Sequence, residues 1–216
     1  VRKLITLTAA LLASCGPVYA QEPPRAALKY RAELTRAVHL VWGLDGPIAT
    51  MAAQVHQESG WRPDARSPYA HGLAQFTPAT ADWIAGQDAA LAGADTGNPV
   101  WALRALARYN RWLYDRVPGA TAPHARNPGS LPPTGGLVPA RGGRSPERSD
   151  ACARWIDTLR AYNGGLGWVQ REARTGQPCD AFRRLSACAE NHTYPARILL
   201  RHQPRYASWG PGVKCA

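Results

Sequence analysis

The sequence predicts a mostly α-helical single domain interrupted by one long Pro/Gly-rich loop. Three observations predict it. Apolar residues recur at helical spacing in successive segments, helix-start pairs precede several of them, and strand signals are nearly absent. The 216 residues suit one domain of ordinary size, and 45% hydrophobic residues suffice for a core.

Residues 24–41 carry Leu28, Ala32, Leu34, Val38 and Val41 at roughly helical spacing. Pro47 suits a first helical position, Ile48, Met51, Ala52 and Val55 then form one face, and Gly60 is a natural stop. A small hairpin near residues 62–72 is compatible with the pattern. Thr77-Pro78 opens a short helix through Trp83 and Ile84, and Asn98-Pro99 opens a longer one with Leu103, Leu106 and Leu113. Ser149 and Asp150 are expected to cap a further helix that holds Trp155, Ile156 and Leu159 and ends near Gly164. Residues 117–149 contain seven Pro and six Gly without apolar periodicity, so they read as a disordered loop.

The first twenty residues read as a secretory signal. Arg2 and Lys3 are charged, Leu4–Ala13 is mostly apolar, and Val18-Tyr19-Ala20 offers the small residues of a cleavage site. The apolar run is too short to span a bilayer. A second reading competes: Leu12-Ala13-Ser14-Cys15 resembles a bacterial lipobox, which would leave an outer-membrane lipoprotein anchored through Cys15. Both readings export the chain, and the first places it in the periplasm with residues 21–216 as the working domain. Apart from Cys15 there are four cysteines, Cys152, Cys179, Cys188 and Cys215, an even number that reads as two disulfides. Three connectivities are possible. The nested one, Cys179 with Cys188 and Cys152 with Cys215, is expected. No Cys-x-x-Cys pair and no His-Glu-x-x-His occurs, so neither a metal nor another cofactor is expected, although His56-x-Glu58 hints at a ligand pair.

The formal net charge of +11 comes almost entirely from Arg. A basic surface suits anionic partners, including the carboxylate-bearing cell wall. No basic block or nucleic-acid-binding motif is present, and nucleic acid is not expected as a partner. Nucleophile-elbow, phosphate-loop and dinucleotide motifs are also missing.

Among only 15 acidic residues, Glu58 differs from the rest. It sits in the last turn of a predicted helix, before Ser59-Gly60-Trp61. The negative end of the helix dipole and nearby apolar surface both keep a proton on such a carboxyl, as a general acid needs. An unpaired surface Glu at a helix end has the same local signature, so position alone does not decide.

The surrounding constellation decides more. Gln54–Ile84 reads QVHQESGWRPDARSPYAHGLAQFTPATADWI, followed far downstream by Ala161-Tyr162-Asn163-Gly164-Gly165 and Glu190-Asn191-His192-Thr193-Tyr194. In order and spacing, residues 40–200 resemble the lytic transglycosylases of the soluble (SLT) type, with the Pro/Gly loop as an insertion. Several residues depart from the family pattern. The chain is one residue short between Ser67 and Gln75, Ala70 stands where Gly is usual, Thr77 replaces Met, and His192 replaces Thr.

The resemblance implies a lysozyme-like fold of the goose-type/SLT kind. It implies Glu58 as the single catalytic acid/base and Ser67 facing the sugar. Gly72, Leu73 and Gln75 would line the cleft floor, Tyr162 and Asn163 would stand beside the carboxyl, and Tyr194 near it. The implied reaction cleaves the MurNAc–GlcNAc β-1,4 bond of peptidoglycan glycan strands and closes a 1,6-anhydro ring without water. Asp64 and Asp82 are the nearest carboxylates downstream of Glu58 in sequence, and neither lies in a matching motif. A lysozyme-like hydrolase of the endolysin kind, with Asp64 as second carboxylate, is the nearest competing reading. A non-catalytic wall-binding protein is another. Trp61 and Trp168 lie near the motifs, as sugar platforms or as core. The extension from Pro195 to Ala216 resembles the ends of transglycosylases carried on integrative conjugative elements, which implies a conjugation or type IV secretion apparatus as partner.

Overall fold

The computed structural model describes residues 22–118, 146–181 and 183–215. The expected leader with Cys15, and residues 119–145 of the expected loop, lie outside them. Eight α-helices follow in order: α1 (Arg25–Leu28), α2 (Arg31–Trp42), α3 (Ile48–Ser59), α4 (Pro78–Gln87), α5 (Pro99–Tyr114), α6 (Pro146–Gly164), α7 (Leu166–Thr175) and α8 (Leu185–Ala196). A π-helical turn, Arg197–His202, and a 3-10 segment, Gln203–Trp209, continue α8. Among the described residues the only β pairing is two isolated bridges, Arg66 with His71 and His71 with Phe76. They occupy the place of the expected hairpin without forming strands. No described helix is long and apolar enough to cross a membrane.

The start signals act as anticipated in two places. The Thr77 side chain accepts from the Thr80 amide, and Asn98 accepts from Val100 and Trp101, each before a first-turn Pro. Two expectations need correction. The helix expected over 24–41 is two, parted at Lys29–Tyr30, where Tyr30 stacks on Trp61 at 6.1 Å. Ser149 and Asp150 lie inside α6, which starts at Pro146, a residue whose fixed φ suits a first turn.

Helix α3 is the centre of the molecule. It packs against α2, the π-helical turn and the 3-10 segment, while α5 packs on α2 and α6, and α6 on α7 and α8. Its residues from Ile48 through Val55 are all buried, not just one face. The run Ala49, Ala52, Ala53 lets neighbours approach on every side, so a helix that reads as amphipathic is enclosed.

The N-terminal amides of α3 have no side-chain cap. The C-terminal tail supplies partners instead: Pro211 O accepts from Ala49 N at 2.8 Å. Thr50 Oγ1 donates to Gln203 Oε1 at 2.6 Å and accepts from Val213 N at 3.0 Å, and Gln203 Nε2 donates to Val213 O at 2.8 Å. Gly210 lets this strap lie against the helix, since a Cβ there would stand 2.7 Å from Ile48 Cδ1. The nested disulfides form. Cys152 on α6 pairs with Cys215 at the end of the strap, with 5.1 Å between Cα atoms, and Cys179 pairs with Cys188 at 5.6 Å. His192 lies close enough to Cys179 and Cys188 for a ligand triad, but two sulfurs bonded to each other are not thiolate ligands.

Candidate active site

Glu58 lies in the last turn of α3, and Gly60 ends the helix in the left-handed conformation with its amide on His56 O. The carboxyl lines a cleft of about 320 Å³, together with Ser67, Tyr69, Ala70, Gln75, Phe76, Thr77, Thr80, Tyr109, Tyr162 and Asn163. Glu58 is the one carboxylate among these lining residues. Burial raises its pKa from an ordinary 4.5 to about 7, a hydrogen bond from Tyr194 opposes the rise, and Glu190 adds to it. Desolvation is therefore the main cause of the retained proton. Tyr194, on α8 and itself buried, donates to Glu58 Oε1.

The expected site residues divide. Ser67, Gln75, Tyr162 and Asn163 meet Glu58 in the cleft. The Ser67 hydroxyl is engaged locally, where Oγ accepts from Ala70 N at 3.0 Å and holds the turn over residues 67–70. Gln75 adopts a positive φ of 49° and donates from Nε2 to Gly72 O and Ala65 O, at 3.0 and 3.1 Å. Tyr162 donates to Ala74 O at 2.6 Å rather than to the carboxyl, which leaves its ring as cleft wall. Tyr194 stands behind the acid, not in the cleft, because its only polar atom is turned to Glu58.

Gly72 and Leu73 are corrections. Leu73 is fully buried among the core residues rather than on the cleft floor, and Gln75 alone of the Gly72-Leu73-Gln75 set lines the cleft. Gly72 is buried with φ +78°, and a Cβ there would stand 1.9 Å from Thr96 O. Only glycine fits so close an approach in the left-handed region. Gly72→Ala is expected to lower the melting temperature by about 5 °C or more, as strain plus a backbone displacement of order 2 kcal/mol requires. A thermal melt of the variant checks it.

Several further residues shape the site without a local sequence signal. Tyr109 projects into the cleft from α5, and nothing in its local sequence separates it from core aromatics. Asn191 is buried on α8 and donates from Nδ2 to Arg160 O at 2.7 Å and to Asn163 Oδ1 at 3.3 Å. Gly164 makes room for it, since a Cβ there would meet Asn191 Nδ2 at 2.4 Å. The Asn-Gly pair of the Ala-Tyr-Asn-Gly segment thus has a reason: one residue enters the cleft and the next lets its clamp approach. His192, the departure beside Asn191, turns to Arg160 at 3.0 Å and away from the cleft. Trp61 is core, fully buried and donating to the Tyr206 hydroxyl at 2.6 Å, and Trp168 packs beside the Arg171 and Arg183 guanidiniums. Asp64 and Asp82 are exposed and do not line the cleft.

The model of the transglycosylase SLT domain matches residues 45–180, the stretch that runs from the start of α3 past Asn163. The chain belongs to that family. This SLT domain is also similar in structure to the 70 kDa soluble lytic transglycosylase of Escherichia coli, with a TM-score of 0.55 and 18% sequence identity. The likeness covers 85% of this chain and 25% of the Escherichia coli chain, so the SLT domain spans about a quarter of that protein's length. At that identity it establishes the shared fold. No curated protein shows a significant match to this chain.

Proposed function

We propose that this SLT domain is a peptidoglycan lytic transglycosylase that cleaves the MurNAc–GlcNAc β-1,4 bond and leaves a 1,6-anhydroMurNAc end. The observation that carries the proposal is a lone carboxyl, with a pKa of about 7, in a cleft whose described lining holds no second one. Hydrolytic glycosidases of the usual kind place two carboxylates across the bond. A single acid/base must give its proton and take one back.

Tyr194 occupies Glu58 Oε1, so the catalytic proton is carried on Oε2. Glu58 protonates the glycosidic oxygen as the C1–O bond breaks, and the substrate's own N-acetyl group stabilises C1. The resulting carboxylate accepts the C6 hydroxyl proton while the C6 oxygen bonds to C1. The proton count returns to its start, and no water enters the product. Asn163, held by Asn191, and Gln75 are placed to orient the sugar, and Tyr109 and Tyr162 offer it ring surface.

Mass spectrometry of muropeptides released from purified sacculi tests this. Anhydro ends, one water lighter than reducing ends, are expected as the main product. Reducing ends in their place would establish the hydrolase reading, and the exposed position of Asp64 argues against that outcome. Wall binding without any release would establish a non-catalytic wall protein.

The proposed substrate places the working domain in the periplasm, or at the outer membrane if Cys15 is lipidated. The resemblance of the extension from Pro195 to Ala216, whose residues 210–215 form the strap on α3, supports local wall opening for a conjugation or type IV secretion apparatus.

A further inference from the structure

Two amide side chains lie fully buried behind the acid, and the reaction as described does not use them. Gln54 stands one helical turn before Glu58 on α3, and Asn110 faces it from α5. Asn110 Nδ2 donates to Gln54 Oε1 at 2.7 Å. That bond fixes which end of the Gln54 amide is which: the oxygen points to α5, and Nε2 points the other way. Nε2 has no partner at full hydrogen-bond geometry, and neither has Asn110 Oδ1. A pair of apolar side chains would fill this space without leaving polar atoms unpaired, so packing alone does not account for the amides.

We propose that Gln54, oriented by Asn110, is a positioning residue that acts on Glu58 through Tyr194. The Tyr194 hydroxyl has one hydrogen and an oxygen that accepts. With the Gln54 amide presented to that oxygen, the hydrogen is left for Glu58 Oε1, where the structure places it. The amide acts on this phenol: it favours the ionised form of Tyr194 against the dominant effect of burial, as a donor to the oxygen does. The contact is loose in the free protein, as catalytic hydrogen bonds often are before substrate binds. The chain of influence runs from α5 through α3 to α8, so three helices jointly hold the proton on the cleft-facing carboxyl oxygen. This rests on Glu58 being the acid.

The test is a double-mutant cycle of Gln54→Met and Tyr194→Phe, with kcat, KM and pH profiles measured on soluble peptidoglycan strands and thermal melts alongside. Methionine keeps the length and removes the donor. In the wild-type background Gln54→Met is expected to lower kcat about tenfold with KM within about twofold. The alkaline limb should move upward, because a less well directed Tyr194 stabilises the Glu58 carboxylate less. In the Tyr194→Phe background the same substitution should change kcat by less than about twofold, the signature of action through that hydroxyl. An equal loss in both backgrounds, or wild-type kcat and pH profile in Gln54→Met, overturns the inference. A Glu58→Gln variant that keeps full activity would instead overturn the reading of Glu58 beneath it, so the two failures are distinguishable. If Gln54→Met does not fold, Asn110→Leu frees the Gln54 amide to turn, and the same loss confined to the Tyr194 background is required of it.

Discussion

Glu58→Gln is expected to lower muropeptide release by about a thousandfold, within the range that general acid–base catalysis contributes. Gln keeps the size of the side chain and its acceptor for Tyr194, so the cleft stays formed while the transferable proton is lost. In the wild type the same group sets the pH dependence. With a pKa of about 7, Glu58 keeps its proton below that pH and loses it above, so release falls as pH rises through 7. Stability moves with it. The folded pKa lies above the ordinary 4.5, so the folded state binds more protons than the unfolded chain between the two values, and stability declines as pH rises from about 4.5 through 7. Gln escapes that decline. Above pH 7 the variant is expected to melt roughly 5 °C higher than wild type, from a difference on the order of 2 kcal/mol that allows for water in the cleft. Below pH 4.5 the two melts converge. Melts at pH 4 and pH 8, with sacculus release at pH 6, check all three statements. A variant that is both inactive and less stable at pH 8 would contradict this account of the acid.

Removing the Cys152–Cys215 bridge by paired Ala substitutions is the second large effect. The bridge closes a separation of 63 residues, for which chain entropy gives a stability loss of about 4 kcal/mol. The Cys179–Cys188 bridge closes 9 residues, and its loss is expected to cost less, about 3 kcal/mol. Urea midpoints of the two paired variants give the order. The longer bridge also has a specific mechanical role. It pins the strap whose Pro211 carbonyl and Val213 amide hold the first turn of α3, the helix whose last turn carries Glu58. Loss of activity on warming should therefore precede global unfolding in the Cys152/Cys215 variant and coincide with it in the other.

How much of this was legible beforehand differs by residue. Thr77-Pro78 and Asn98-Pro99 act locally, through one side chain and the next turn, so the sequence shows them directly. The four cysteines were legible as two disulfides from their even number, and the structure selects the favoured nested pairing among the three. Glu58 was legible through its spacing to Ser67, Gln75, Tyr162 and Asn163, and the fold brings those five into one cleft. Leu73 was misplaced because a motif position says which residue type is present, not which side of a loop it faces. Asn191, Tyr109 and the Gln54–Asn110 pair were not legible at all. Each matters through a partner dozens of residues away, and no local periodicity encodes such a meeting.

The sequence by itself determined most of the helices up to Gly164, two of their start signals, the cysteine set and the candidate acid, because each depends on short-range chemistry or on a pattern of residue types. Only the tertiary structure decided that α3 is enclosed on all sides, that burial is the largest cause of the raised Glu58 pKa, and that Tyr194 stands behind the carboxyl rather than before it. Those are statements about what surrounds a group. Desolvation and hydrogen bonding are set by neighbours brought in from α5, α8 and the strap, and they exist only once the chain has closed on itself.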